Sequence, residues 1–403
     1  MSSAKRTATK ALVALGAFAL ALAAAEWAVG RWFPMAASLY RPDPVLLYVP
    51  KPGARSTKVA GPDRARHWVT TEFNAQGHRG PEFDLAKPHP RIVVYGDSFV
   101  LAEDVEEENC FVARLRAELA SSGALEVVNS GVTGYGPDQQ CLKFEREAAA
   151  LRPDLAVFVL YSSNDYGDLV RNKMFRPDEL GRAVKNDYVL APSLVEDLER
   201  RARDASGFAL VCAIESYTAA RARRARLAEN PNPPYIEWYL HAAEVEFEEY
   251  GVEGDLAVRQ VWEDYYDADV AIHPERPSST FKRALMRAVV ARMKDECARR
   301  GVPMLALIVP SAVDLCPKGE VHVDASLYPT WSPSRLTDGL EEIATELAIP
   351  FVNLYGPFRS AGPDGLYIGD GNLHWNEAGQ ALAARLVAAH LREHQLWPPK
   401  RKR

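Results

Sequence analysis

Four short stretches hold residues whose types suit a nucleophile and its surroundings. Ser98 follows Gly96-Asp97. Gly134 ends Asn129-Ser-Gly-Val-Thr-Gly134. Asn164 lies in Ser162-Ser-Asn-Asp165. Asp370 and His374 share Gly369-Asp-Gly-Asn-Leu-His374. A serine hydroxyl becomes a nucleophile when a histidine takes its proton. A carboxylate near the histidine can hold its Nδ1–H and favour the imidazolium. Glycine lets backbone N–H groups approach a ligand closely. An asparagine amide at a strand end offers hydrogen-bond donors.

These residues need a frame that brings them together, and the sequence supplies one. Arg91-Ile-Val-Val-Tyr95 is an unbroken β-branched and aromatic run, which reads as a strand buried on both faces. Ser98 then stands between that strand and a helix expected from about 106 to 119. Further strands are predicted at 125–129, 155–161, 303–309 and 350–354. Helices are predicted at 137–151, 280–300, 334–347 and 377–394. Strands alternating with helices indicate a parallel sheet covered on both faces, with its site at the carboxyl ends of the strands. Glu103, Asp104, Glu106, Glu107 and Glu108 crowd the expected start of the 106–119 helix, where a favourable helix-dipole interaction is sufficient reason for them.

The remaining segments break this rhythm. Lys5, Arg6 and Lys10 precede an uncharged run from Ala11 to Ala25, and residues 11–30 as helix would span about 30 Å, one hydrocarbon core. We read residues 1–33 as a signal-anchor with Trp27 and Trp32 at the interface and the bulk of the chain exported. The alternative is cleavage near Ala23-Ala-Ala25 and secretion. Residues 34–90 read as an extended lead-in with a strand near Trp68-Val-Thr-Thr71. Residues 166–280 read as a mainly helical insertion. Its aromatics (Tyr235, Trp238, Tyr239, Phe247, Tyr250, Trp262, Tyr265, Tyr266) are expected to form its own core, with a substrate cleft as the alternative. Arginine-rich patches lie at 200–203 and 221–226, and 396–403 is a basic tail.

The 403 residues are 47% apolar and 25% charged, ordinary values for a folded chain with a sizeable core. A net charge of −6 argues against a general nucleic-acid binder. The five cysteines (Cys110, Cys141, Cys212, Cys297, Cys316) form no C-x-x-C pair, and the nine histidines show no ligand spacing. No metal and no cofactor are expected.

With these residues in order, the chain resembles the SGNH (GDSL-type) hydrolases over about residues 90–395, apart from the insertion. Gly96-Asp-Ser-Phe99 matches the first block, and Asn129–Gly134 is similar to the second. Ser162-Ser-Asn-Asp165 is similar to the third, and Asp370 with His374 to the last. The start and lead-in resemble a bacterial membrane-anchored subgroup. The resemblance implies a three-layer α/β/α fold with a five-stranded, mainly parallel, flavodoxin-like sheet in a domain spanning 91–395. It implies Ser98 as nucleophile, His374 as base and Asp370 as its acid. The oxyanion hole would comprise the Ser98 and Gly134 N–H groups and the Asn164 amide. The activity implied is that of an esterase, lipase or carbohydrate deacetylase at the inner membrane, facing the periplasm. Its partners would be an acyl ester or acylated carbohydrate, and the membrane through residues 11–30. Alternatives are an O-acyltransferase acting on an envelope polysaccharide, or a non-catalytic binding module. The chain departs from the family twice. Ser162 replaces the glycine of Gly-x-Asn-Asp, and one extra residue separates Asp370 from His374. Gly371 is expected to absorb that residue, with Asn372 contributing much less than Asp370.

Overall fold

The computed structural model describes residues 3–32, 39–60, 67–202, 210, 214, 218, 235–251, 256–261, 265–317, 319, 321–369 and 371–397. Asp370, Arg203, Cys212, the 221–226 arginines, Trp262 and the last six residues of the basic tail lie outside the described residues.

Five strands make the central sheet: β5 (Arg91–Gly96), β6 (Glu126–Gly131), β7 (Leu155–Tyr161), β12 (Met304–Val309) and β13 (Phe351–Asn353). Their order is β6-β5-β7-β12-β13, and every pairing is parallel. Numbered by appearance within the sheet, this is the 2-1-3-4-5 order of flavodoxin-like folds. The winding reverses between β5 and β7, and ligands bind outside the carboxyl ends at such a point.

Period-two alternation sorts each strand between two cores. Val93, Tyr95, Phe158 and Ile308 pack on one face with Phe144 of α4 (Pro137–Leu151) and with Met286 and Met293 of the helix Pro277–Arg300. Ile92, Val94, Val157 and Leu307 pack on the other with Leu115 of α3 (Phe111–Leu119) and Val387 of the helix Glu377–Glu393. Because both faces are covered, the strands read as continuous apolar runs.

The helix expected from about residue 106 is shorter than that. A single 3-10 turn, Glu107–Asn109, comes first. Cys110 then adopts an extended conformation (φ −68°, ψ 155°) and caps α3, its Sγ accepting from the Ala113 N–H at 3.5 Å. Asp104 therefore sits outside any helix, in the segment that follows α2 (Ser98–Leu101).

The segment before β5 carries two antiparallel hairpins: β1 (Tyr40–Asp43) with β2 (Leu47–Pro50), and β3 (Arg55–Ala60) with β4 (His67–Glu72). Between β7 and β12, the described residues contain short strands as well as helices. These are β8 (Phe175–Pro177), β9 (Ala183–Lys185), β10 (Val189–Leu190) and β11 (Ala257–Val258), with helices Asp165–Asn172, Pro192–Ala202, Tyr235–Gly251 and Ala268–Ile272. Tyr239, Tyr265 and Tyr266 are buried there, the first two stacked at 5.6 Å. The amino-terminal helix, α1 (Ser3–Trp32), includes Arg6–Arg31, which is long and apolar enough to cross a membrane, its most apolar 18-residue stretch having a mean hydropathy of 2.0.

Candidate active site

Ser98, Gly134 and Asn164 leave the carboxyl ends of three adjacent strands, β5, β6 and β7. In the order β6-β5-β7, Gly134 and Asn164 come from the strands on either side of the serine's. Asp97 caps α2, its Oδ1 accepting from the Phe99 N–H at 2.9 Å, which fixes the turn that presents Ser98. Glycine is required at 96 and 131 for space. A Cβ on Gly96 would lie 2.3 Å from Val100 Cγ2, and one on Gly131 would lie 2.5 Å from the Leu101 nitrogen.

His374 arrives from the far end of the chain. It belongs to β15 (Asn372–Trp375), paired antiparallel with β14 (Tyr367–Gly369), and so lies in a small hairpin rather than in the loop expected from sequence. Tyr367 pairs with Trp375 and Gly369 with Asn372, leaving two residues of β15 opposite one of β14. Such a bulge re-aims a side chain. The imidazole packs against Phe99 at 5.0 Å between centroids, and Phe99 is itself packed on Tyr161 and Trp375.

In this position His374 Nε2 is 2.7 Å from Ser98 Oγ. The other ring nitrogen meets Asn372, whose Oδ1 is 2.8 Å from Nδ1. The same Oδ1 accepts the His374 backbone N–H at 3.0 Å. That second bond settles the orientation of the amide, because its NH2 would clash with the backbone donor. Nδ1 must then carry the proton, and Nε2 presents its lone pair to the serine hydroxyl. Sequence reasoning gave Asn372 little weight. Asp104 Oδ2 lies 3.6 Å from the same Nδ1. Burial raises the Asp104 pKa, but Lys58, His374 and the Asn372 amide outweigh it and hold the carboxyl below its ordinary value. Nothing in the sequence links Asp104 to His374, since 270 residues separate them.

Gly134 has φ +75°, and a Cβ there would lie 2.9 Å from Tyr48 Oη. Tyr48 donates to the Thr133 carbonyl at 2.6 Å, and Tyr135 donates back to the Tyr48 carbonyl. The first hairpin thus braces the glycine loop. Asn164 is buried, and its Nδ2 donates to Asp168 Oδ2 at 3.1 Å. Its second N–H has no protein partner among the described residues. Ser162 does not have a positive φ, so the serine takes the glycine position without strain. Asp165 accepts the Tyr161 N–H at 2.7 Å. Burial first, then the Asp97 and Asp168 carboxylates, hold its pKa well above the ordinary range.

Among the described residues no cluster of three or more His, Cys, Asp or Glu side chains is arranged to hold a metal ion. The arrangement can move a proton from a serine hydroxyl to an imidazole, at the strand ends that Gly134 and Asn164 also leave.

No protein-family model matches the chain, and no curated protein matches it. Solved structures give distant likenesses. A lipase/acylhydrolase from Enterococcus faecalis is 11% identical with a TM-score of 0.35, over 78% of this chain and 100% of that one. A GDSL-like lipase from Bacteroides thetaiotaomicron is 11% identical with a TM-score of 0.33, over 75% and 88%. A two-domain esterase active on acetylated mannans is 10% identical with a TM-score of 0.36, over 79% of this chain and 53% of that one. At these scores the likenesses carry no argument about activity, which rests on the geometry of the site.

Proposed function

We propose that the chain is a serine ester hydrolase of the GDSL type that works through an acyl-serine intermediate. The observation that carries this reading is the 2.7 Å contact between Ser98 Oγ and His374 Nε2, with Nδ1 held by an acceptor. Ser98 Oγ attacks the ester carbonyl carbon as its proton passes to His374 Nε2. The oxyanion is met by the Ser98 and Gly134 N–H groups and the Asn164 amide. Loss of one such donor typically costs roughly 2.7–4 kcal/mol of barrier. The tetrahedral species collapses, and the leaving alkoxide takes the proton from His374. Water then attacks the acyl-serine, gives its proton to His374, and the acid product leaves as the proton returns to Ser98. Asp370 is the acid the sequence resemblance assigns to His374. The substrate class is an acyl ester or an acylated carbohydrate.

The apolar helix Ser3–Trp32 would tether this domain to the inner membrane on its periplasmic side. Support comes from Lys5, Arg6 and Lys10 ahead of the apolar run, since basic residues stay cytoplasmic.

A fluorophosphonate probe tests the reading. The wild type should be labelled on Ser98, and Ser98→Ala should lose both the label and turnover of short p-nitrophenyl esters while staying folded. Turnover retained in the folded variant would sink the assignment. In cell fractions the labelled band should stay with the membrane at full length; a soluble band beginning near Glu26 refutes the tether.

A further inference from the structure

We propose that Asp104 is a positioning residue for His374, a carboxylate that, alongside Asn372, holds the imidazole and favours its protonated form. This rests on the reading of Ser98 and His374 given above, and it adds a carboxylate that the sequence resemblance does not assign.

Asp104 Oδ2 is 3.6 Å from His374 Nδ1, with side-chain exposures of 11% for Asp104 and 30% for His374. Asn372 adjoins both: its carbonyl oxygen takes Nδ1–H, and its amide helps hold the Asp104 carboxyl below its ordinary value.

The Asp104 segment is held at several points. Arg79 is buried, and its guanidinium donates to the carbonyls of Leu101, Ala102 and Val105, the last at 2.7 Å. Ala102 takes a left-handed conformation (φ 58°), which an alanine adopts only when its surroundings impose it. Glu103 Oε1 accepts from Tyr40 Oη and from Thr133 Oγ1, both at 3.0 Å. Lys58 Nζ lies 3.0 Å from Asp104 Oδ1 and 3.4 Å from Glu103 Oε2. The chain thus spends a buried arginine and a lysine on fixing a short segment whose one carboxylate facing the imidazole is Asp104. Burial alone would push that carboxyl toward its neutral form; Lys58, His374 and Asn372 keep it ionised.

Among the described residues, titratable groups on the elements next to His374 have partners of their own. Glu377, at the start of the closing helix, accepts from Asn109 at 2.9 Å. Asp314, on the short helix Ala312–Leu315, accepts from Tyr266 at 2.7 Å. Glu103 is held by Tyr40 and Thr133, and Lys58 reaches the ring only through Asp104. Asp370 lies outside the described residues.

The test is the protonation midpoint of His374, read by NMR of Cε1-labelled histidine in the full chain in detergent, with the signal assigned by loss in His374→Gln. A carboxylate this close favours the imidazolium, so Asp104→Asn should lower the midpoint by about one pH unit or more. Lys58→Met leaves the carboxylate uncompensated and should raise it. Asp104→Glu should restore most of the wild-type value. The kcat for p-nitrophenyl acetate should fall about a hundredfold or more in Asp104→Asn, with KM nearly unchanged. Midpoints that stay fixed, or that move in the same direction in both charge variants, overturn the proposal and leave Asp104 a structural residue. If Asp104→Asn does not fold, Lys58→Met decides alone: a raised midpoint supports the proposal, and an unchanged one overturns it. The two readings fail separately. A wild type that fluorophosphonate does not label, but whose midpoints shift as stated, sinks the hydrolase and keeps the Asp104–His374 coupling. A labelled Ser98 with fixed midpoints does the reverse.

Discussion

Asn372 gives one oxygen to two donors of the same residue, the His374 ring Nδ1–H at 2.8 Å and the His374 backbone N–H at 3.0 Å. The backbone bond anchors the oxygen, and the anchored oxygen selects the ring tautomer. Asn372→Ala removes the selection and should leave the fold intact. A hydrogen bond to a group that becomes charged contributes about 1.5–3 kcal/mol, so kcat should fall about ten- to over a hundredfold with KM little changed. The check is steady-state hydrolysis of p-nitrophenyl acetate. A fall of less than twofold would show that another group fixes the ring.

Gly134 carries two constraints at once, a left-handed backbone and a Tyr48 hydroxyl where its Cβ would go. Gly134→Ala should displace the loop N–H from the oxyanion and lower kcat by up to about a thousandfold, the effect of losing one donor. Tyr48→Phe removes the obstructing oxygen but also its bond to Thr133. It should therefore cost less activity in the Gly134→Ala background than in the wild type. A double-mutant cycle measures this coupling, and strict additivity would rule out the steric account.

Asp314 has a carboxyl pushed up to about 8, because burial disfavours its charge more than the Tyr266 and Trp331 hydrogen bonds favour it. A carboxyl raised in the folded state contributes stability that is fully present below the ordinary carboxylate value near 3.8. That contribution is lost as pH rises through about 8. The wild type should therefore lose stability with rising pH across this window, and Asp314→Asn should flatten the decline. Asp138, pushed up to about 7 chiefly by burial, keeps part of the slope. His78, lowered to about 4 by burial, acts in the opposite sense below its ordinary value of 6.5. Thermal denaturation from pH 5 to 8.5 makes the comparison. Equal slopes in wild type and variant would show that Asp314 is ionised in the folded protein.

The sheet was legible because its strands are buried on both faces and so are written as continuous apolar runs. The run Leu155–Tyr161 and the helix Pro137–Leu151 were expected from the sequence at those residues. What the sequence left out falls into two kinds. Cys110 breaks a helix by adopting an extended backbone, which no composition signal marks. Asn372 and Asp104 depend on the path of the chain. Asn372 is two residues from His374, but only the bulged strand turns its oxygen onto the ring. Asp104 read as one of several acids at a helix start, and its relation to His374 exists only because β5 and the closing hairpin end at the same edge. Asp370 stands as a sequence-based assignment.

The grip of Arg79 on the carbonyls of Leu101, Ala102 and Val105 also decides where this chain can be cut. Arg79, Lys58 and Tyr48 all precede the first strand of the sheet, yet they hold the segment after Ser98 and the loop of Gly134. A truncation that begins at Arg91 keeps every strand of the sheet and every residue of the proposed oxyanion hole, yet discards the braces around them. A portable piece of this protein must therefore carry Tyr48, Lys58 and Arg79 as well, because a graft of the sheet alone would carry the chemistry's residues without their alignment.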